Sequence, residues 1–407
     1  MTGQGPAPSR QVEALKMHLL AGSPPARAPR LKKQWEDTMS EIRAKRGEDV
    51  RFIRSWLHAK YAVWKEIRSG RPTEDYKGIE AGVAIWVRNN HEKMGLHGSG
   101  DYARLLKSAM FYGRLYVRIR DAVSSLVPGM EHVYYIKKLR VPEKFYYPAL
   151  MSAVLVSDEP DIVMRKVDMA ARFLEAFYVL MKMNCKSTSD SVIGPYVFMV
   201  VHYMRDKDPA GLASALRSRS GRIEEWREKW LEGLMDVRLR ATNKWFVHYL
   251  LARITSHVEV MSGRGNRFEE YAREGCEDCH TIEHLLPSNS KPGPCGFADR
   301  AELSEWRNKL GALVLLPGGV NRSLRNLPYA DKAAAYRVHN LLAGSLDEGC
   351  YRDNPLFAAY NNESGHPFRF YRQFGKEDIA ERHGLYARLC REIWDPARFG
   401  AGSLDDP

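Results

Sequence analysis

The chain has 407 residues, 44% of them apolar, with a formal charge of +12 and a pI near 9.3. That length and apolar content supply two or three domains with sizeable cores, and the charge points to an acidic partner, with nucleic acid ahead of membrane because the basic residues are spread over the whole length. The opening MTGQGPAPSR lacks the apolar stretch of a signal peptide, and the longest apolar runs, 146–156 and 192–204, are too short or too interrupted to cross a bilayer; a cytoplasmic protein without membrane association is expected.

Residues 1–30 are rich in Pro, Ala, Gly and Arg with one short helical signal at 12–20, and are expected to form a flexible N-terminal segment. Helical periodicity then takes over. Phe52, Trp56, Val63 and Ile67 share one face; Tyr102, Leu106, Phe111, Leu115 and Ile119 mark a second helix, and Val167, Ala170, Leu174, Phe177 and Met181 a third. The run from Trp245 through Tyr249, Leu251, Ile254 and Val258 closes the series before MSGRGNR, a Gly/Ser loop that sets the expected boundary. Residues 31–261 thus form a helical domain, expected to dock DNA or a partner subunit, and residues 262–407 a second domain. Arg114, Arg118, Arg120, Lys137, Lys138 and Arg140 lie near several Tyr and suit either a phosphate-tracking surface or a solvated helix face.

After Gly263 the pattern changes. The apolar runs 281–286 and 313–316, bounded by Gly and Pro, predict strands, and the Ala-rich stretch 331–342 predicts a helix. A last amphipathic helix carries Ile379, Arg382, Leu385, Leu389, Ile393 and Trp394. The expected fold is therefore mainly α, with a local strand, strand, helix order near the C-terminus.

That order carries a chemistry. Hydrolysis of a phosphodiester needs a base for water and a cation for the developing charge. Glu283 and His284 end the first predicted strand just before Pro287, where a carboxylate can hold a hard cation while the neighbouring imidazole faces water. A neutral His, with an ordinary pKa of about 6.5, is available as base at physiological pH. Asn321 and Asn326 offer amide groups to a metal or to the substrate, and Arg322 and Lys332 are candidates for phosphate contacts.

The ordered set EHLLP, then W-x-x-x-LG-x-L-x-LL, then N-x-x-L-x-N-x-P-Y-x-x-K resembles the nuclease part of GmrSD-type modification-dependent (type IV) restriction endonucleases, members of the HNH (ββα-metal) superfamily. The resemblance implies a small ββα-metal module with a C-terminal helix. It implies Glu283 and Asn321 as ligands of one divalent ion, Mg2+ or Mn2+, with His284 as general base and Asn326 and Lys332 completing the pattern. It implies DNA as substrate, in defence against phage carrying modified bases. FIRSWLHAKYA at 52–62 and residues 147–183 are similar to the helical region that follows a ParB-like, nucleotide-handling domain in fused members. The DGQQR-type motif of that domain is absent, so the sequence gives no ground for nucleotide hydrolysis by this chain; either a separate ParB-like sensor subunit supplies it or the gene is a remnant. Ala312 stands where the family has an Asn that orients the base, which either leaves His284 less well held or hands the role to Asn308.

Six Cys at irregular spacing fit reduced thiols better than a disulfide framework. Cys276, Cys279 and Cys295 are candidate ligands of a structural Zn2+, with His280, His366 or His383 as a fourth. The alternative function is accordingly a catalytically impaired, zinc-stabilised basic subunit that binds DNA or assembles such a system.

Overall fold

The computed structural model describes residues 8–63, 74–184, 188–220, 233–395 and 399, and among these it is mainly helical with one two-stranded sheet. Two compact units divide the chain. Met1–Lys182, Lys186–Ile223 and Pro396–Pro407 form the first, and Met183–Cys185 with Glu224–Asp395 the second. Among the described residues no helix is long and apolar enough to cross a membrane.

The first unit is built from α1 (Pro8–Gly22), α2 (Ala28–Ile42), α3 (Glu48–Lys60), α4 (Glu74–Ala81), α5 (Val83–Asn89), α6 (Ser99–Ala122), α7 (Glu131–Lys138), α8 (Glu143–Ser152), α9 (Pro160–Met183), α10 (Asp190–Met204) and α11 (Pro209–Arg219). Apolar stripes at helical spacing pair them: α3 lies on α8, α2 on α6, α10 on α8, and α1 on α5 and α6. The expected core positions Phe52, Trp56, Leu106, Leu115, Ile119, Val167, Ala170, Leu174, Phe177 and Met181 are buried. The first face ends sooner than expected, because α3 stops at Lys60; Val63 lies beyond it, and Ile67 falls outside the described residues.

Residues 8–30 correct the expectation of a flexible lead-in. Val12, Leu15 and Leu19, one helical turn apart, are fully buried, each contributing about 2 kcal/mol of apolar burial, and that is enough to seat α1 in the core despite the Pro-rich flanks. The basic cluster is partly used in packing. Arg120 donates to the carbonyls of Glu41 and Ile42 at the C-terminal end of α2, where carbonyls lack helical partners. Lys137 pairs with Glu143, while Arg114 and Arg118 stay exposed.

The second unit contains α12 (Lys244–Met261), α13 (Phe268–Tyr271), β1 (His280–His284), α14 (Arg300–Trp306), β2 (Leu313–Pro317), α15 (Gly318–Leu324), α16 (Tyr329–Tyr336), α17 (Leu341–Gly344), α18 (Glu348–Asp353), α19 (Pro355–Ser364) and α20 (Lys376–Ile393). β1 and β2 pair antiparallel with Glu283 opposite Val314 and His284 opposite Leu313. The expected boundary at 261/262 is displaced, since α12 packs on β2, α17 and α20 inside this unit. Its buried Glu259 accepts from the Leu341 N–H at 2.8 Å and pairs with Arg264 at 3.1 Å, so the Gly/Ser loop turns within the unit instead of linking two.

The single helix expected over 331–342 is broken into α16 and α17. Asn340 caps α17 by accepting from Ala343 N–H at 2.9 Å, and its Nδ2 donates to the Leu315 carbonyl of β2 at 2.8 Å. The buried guanidinium of Arg382 on α20 reaches the Leu342 carbonyl and, at 2.8 Å, the Tyr386 hydroxyl, which in turn donates to the Leu313 carbonyl at 2.9 Å. These bonds make α20 a brace behind β2.

The closest approach is at Gly311, just before β2. A Cβ there would lie 2.4 Å from the His383 nitrogen and 2.6 Å from the Ile379 oxygen, both main-chain atoms of α20. No side chain fits without moving the helix. Gly311→Ala is expected to destabilise the second unit by about 2 to 3 kcal/mol, measured as a lowered urea midpoint; an unchanged midpoint would refute the close packing of α20 on this turn.

Candidate nuclease centre

Adjacent residues of a strand face opposite ways. On β1 this sends Glu283 towards α16 and His284 towards the segment that precedes β2. Glu283 is buried, and its Oε1 accepts from Lys332 Nζ at 2.6 Å and from the Tyr336 hydroxyl at 3.1 Å. Lys332 is equally buried and also donates to the His284 carbonyl at 3.1 Å. A carboxylate out of water requires such partners; proximity to it raises the Tyr336 phenol pKa further than burial alone.

His284 is half-buried, with Nε2 2.9 Å from Asn308 Oδ1, and Asn308 Nδ2 donates to the Ser304 carbonyl at 2.8 Å. Burial, reinforced by the guanidinium of Arg307 and opposed by the Asn308 hydrogen bond, pushes its pKa down to about 4. The imidazole is therefore neutral over the physiological range. Arg307 is itself partly buried, and its Nε donates to the Leu286 carbonyl at 3.3 Å.

Asn321 on α15 donates through Nδ2 to Thr281 Oγ1 at 2.9 Å and to the Ile282 carbonyl at 3.1 Å, pinning the helix to β1. Its Oδ1 takes part in neither bond. Gly318 begins α15 where a Cβ would lie 3.0 Å from the Glu277 carbonyl oxygen, and its N–H donates to the Cys279 carbonyl. Asn326 is exposed and accepts from Ser288 at 3.2 Å, joining the end of the motif to the loop after β1. Between these two Asn, Arg325 holds a positive φ of 36°, a conformation costly for a residue that carries a Cβ.

The expected roles divide accordingly. Lys332, expected on a phosphate, is instead the buried partner of Glu283. Glu283, expected on a metal, has one carboxylate oxygen, Oε1, bonded to an ammonium and a phenol. Arg322 is exposed and only loosely paired, 3.9 Å from Glu277. Cys276 and Cys279 are joined as a disulfide, their Cα atoms 5.2 Å apart, which corrects the expectation of free thiols there. Cys295 is unpaired, and burial raises its thiol pKa. His366 bonds Glu392 and His383 donates to the Leu234 carbonyl, while His280 stacks edge-on against Tyr271. Among the described residues no three His, Cys, Asp or Glu side chains are grouped to hold a metal. The motif reading had no place for Arg307 or Tyr336: helical spacing and composition give no signal for either, and only the tertiary contacts place them.

Residues 227–389 match the model of the GmrSD restriction endonuclease C-terminal domain. The match includes α12, in keeping with the boundaries of the second compact unit and not with a boundary at 261/262. A comparison with curated proteins finds no match.

Two measurements probe this centre. Removing the charge of Lys332 with Lys332→Met leaves Glu283 buried without its counter-charge and is expected to cost about 3 to 5 kcal/mol in urea unfolding; adding Glu283→Gln should recover much of the loss, and equal instability of single and double variants would refute the pairing. Burial also lowers His280 and His383 to about 4, as it does His284. Each takes up a proton in the unfolded chain near pH 6.5 but in the folded chain only near 4, so stability is full above pH 6.5 and falls as pH drops towards 4. The urea midpoint should decline already between pH 6.5 and 5, above the carboxylate range; a flat profile there would show that these rings are not buried neutral.

Proposed function

We propose that this chain is a DNA endonuclease of the HNH kind, acting against phage DNA that carries modified bases, with His284 as the general base. The observation that carries this reading is His284 itself: a neutral imidazole fixed by an amide at the end of β1, inside a restriction-endonuclease domain. One ring nitrogen is held by Asn308, and the other is left to take a proton from water as the water oxygen attacks phosphorus. The bond from phosphorus to one deoxyribose oxygen breaks, and that oxygen takes a proton from solvent. Arg307, beside the imidazole, and the exposed Arg322 are the cations best placed to meet the phosphate, in place of Lys332. Asn321 and Asn326 hold α15 and the loop after β1 around the same strand end.

A divalent ion and a ParB-like sensor subunit belong to the proposal through the family resemblance, and no step above is routed through either. The test is nicking of supercoiled plasmid and of hydroxymethylated phage DNA by the purified chain, with Mg2+, with Mn2+ and with a chelator. Wild type is expected to cut and His284→Ala to lose at least about 100-fold. Equal activity of the two proteins would rule out His284 as base.

A second reading is favoured by the sealed Glu283–Lys332 pair: a basic subunit that binds DNA without cutting it. Retention of DNA in a mobility-shift assay by a wild type that leaves every substrate intact, with and without divalent ions, would select it.

A further inference from the structure

We propose that Asn308 is the positioning residue of this centre, and that it fixes His284 in the tautomer with its proton on Nε2 and a bare lone pair on Nδ1. The inference rests on the reading of His284 as base and names the atom that performs that role.

The direction of the amide decides the tautomer. Asn308 Nδ2 is taken by the Ser304 carbonyl at 2.8 Å, so Oδ1 is the end that meets the imidazole at 2.9 Å. An amide oxygen only accepts, so Nε2 must be the donor, and in a neutral ring Nδ1 is then the acceptor. The main chain from which the side chain projects is held on both sides: its N–H donates to the Glu305 carbonyl at 3.3 Å, and its carbonyl accepts from Leu239 N–H at 2.7 Å. The adjoining residues add to the grip. Trp306 packs against the apolar core beside Phe297, and Lys309 Nζ lies 3.8 Å from the centre of the Trp306 ring. Ala312 cannot supply the contact: its methyl is fully buried in the core with Leu285 and Val314, and its carbonyl accepts from Leu285 N–H. The orienting amide therefore comes from the turn after α14 and not from the turn that enters β2.

The experiment uses the full chain labelled with 15N-histidine. Long-range proton–nitrogen correlation spectra identify His284 by the signals missing in His284→Ala. Wild type is expected to show Nε2 protonated and Nδ1 bare; a proton on Nδ1 overturns the proposal whatever the variants do. Asn308→Leu, which keeps the volume and removes the acceptor, should mix the two tautomers and lower kcat for plasmid nicking by about 10- to 100-fold with KM unchanged. Asn308→Asp keeps an acceptor at the same place and should retain the Nε2–H signature. A folded Asn308→Leu with wild-type His284 signals and kcat overturns the assignment, and should that variant not fold, the wild-type spectrum and Asn308→Asp decide. Absence of cleavage by wild type would count against His284 as base, while the nitrogen signals would still judge Asn308.

Discussion

The buried pair of Glu283 and Lys332 is the contact on which the second unit turns. A carboxylate in the interior is unfavourable by several kcal/mol unless its charge is met, and here an ammonium at 2.6 Å supplies the counter-charge while a phenol at 3.1 Å donates to the same oxygen. Because Lys332 and Tyr336 both belong to α16, that helix is locked across β1. Lys332 also reaches the carbonyl of the next residue, His284, so the pair fixes the main chain from which the imidazole projects. The pair is thus a structural support directly beneath the candidate base.

The period of two along a strand explains why Glu283 and His284 do different work although they are neighbours. Glu283 is directed into the helices and becomes part of the fold, whereas His284 points towards Arg307 and Asn308. Desolvation keeps its ring neutral, with a pKa near 4, and the amide holds its orientation. Asn321 ties α15 to the same strand through Thr281 and Ile282, so the strand end is fixed from three directions.

Behind the ribbon, α20 and α12 act as the rigid wall. Gly311 lets α20 approach to within main-chain contact, Arg382 and Tyr386 connect α20 to both α17 and β2, and Glu259 connects α12 to the start of α17. These long-range polar contacts explain why the unit begins well before the Gly/Ser loop at 262–266. A loop rich in Gly and Ser signals a chain reversal, but it does not say whether the helix before it packs outwards or back onto the following strands.

Much of the arrangement is legible in local pattern. The helical stripes of the first unit, both strands and the closing helix follow from residue spacing, since burial of one face imposes a period of 3.6 or 2 on the apolar residues. His284 and Asn321 are marked by an ordered motif. What the spacing does not contain is the partner of each polar group. That Lys332 neutralises Glu283, that Asn308 holds the imidazole in place of the residue at 312, that Asn340 splits one expected helix into two, and that α1 is core all depend on groups brought together from distant segments of the chain. Periodicity reports which face of an element is covered. Only the tertiary structure decides what covers it, because desolvation, charge pairing and hydrogen bonding act between atoms in space and leave no fixed interval in the sequence.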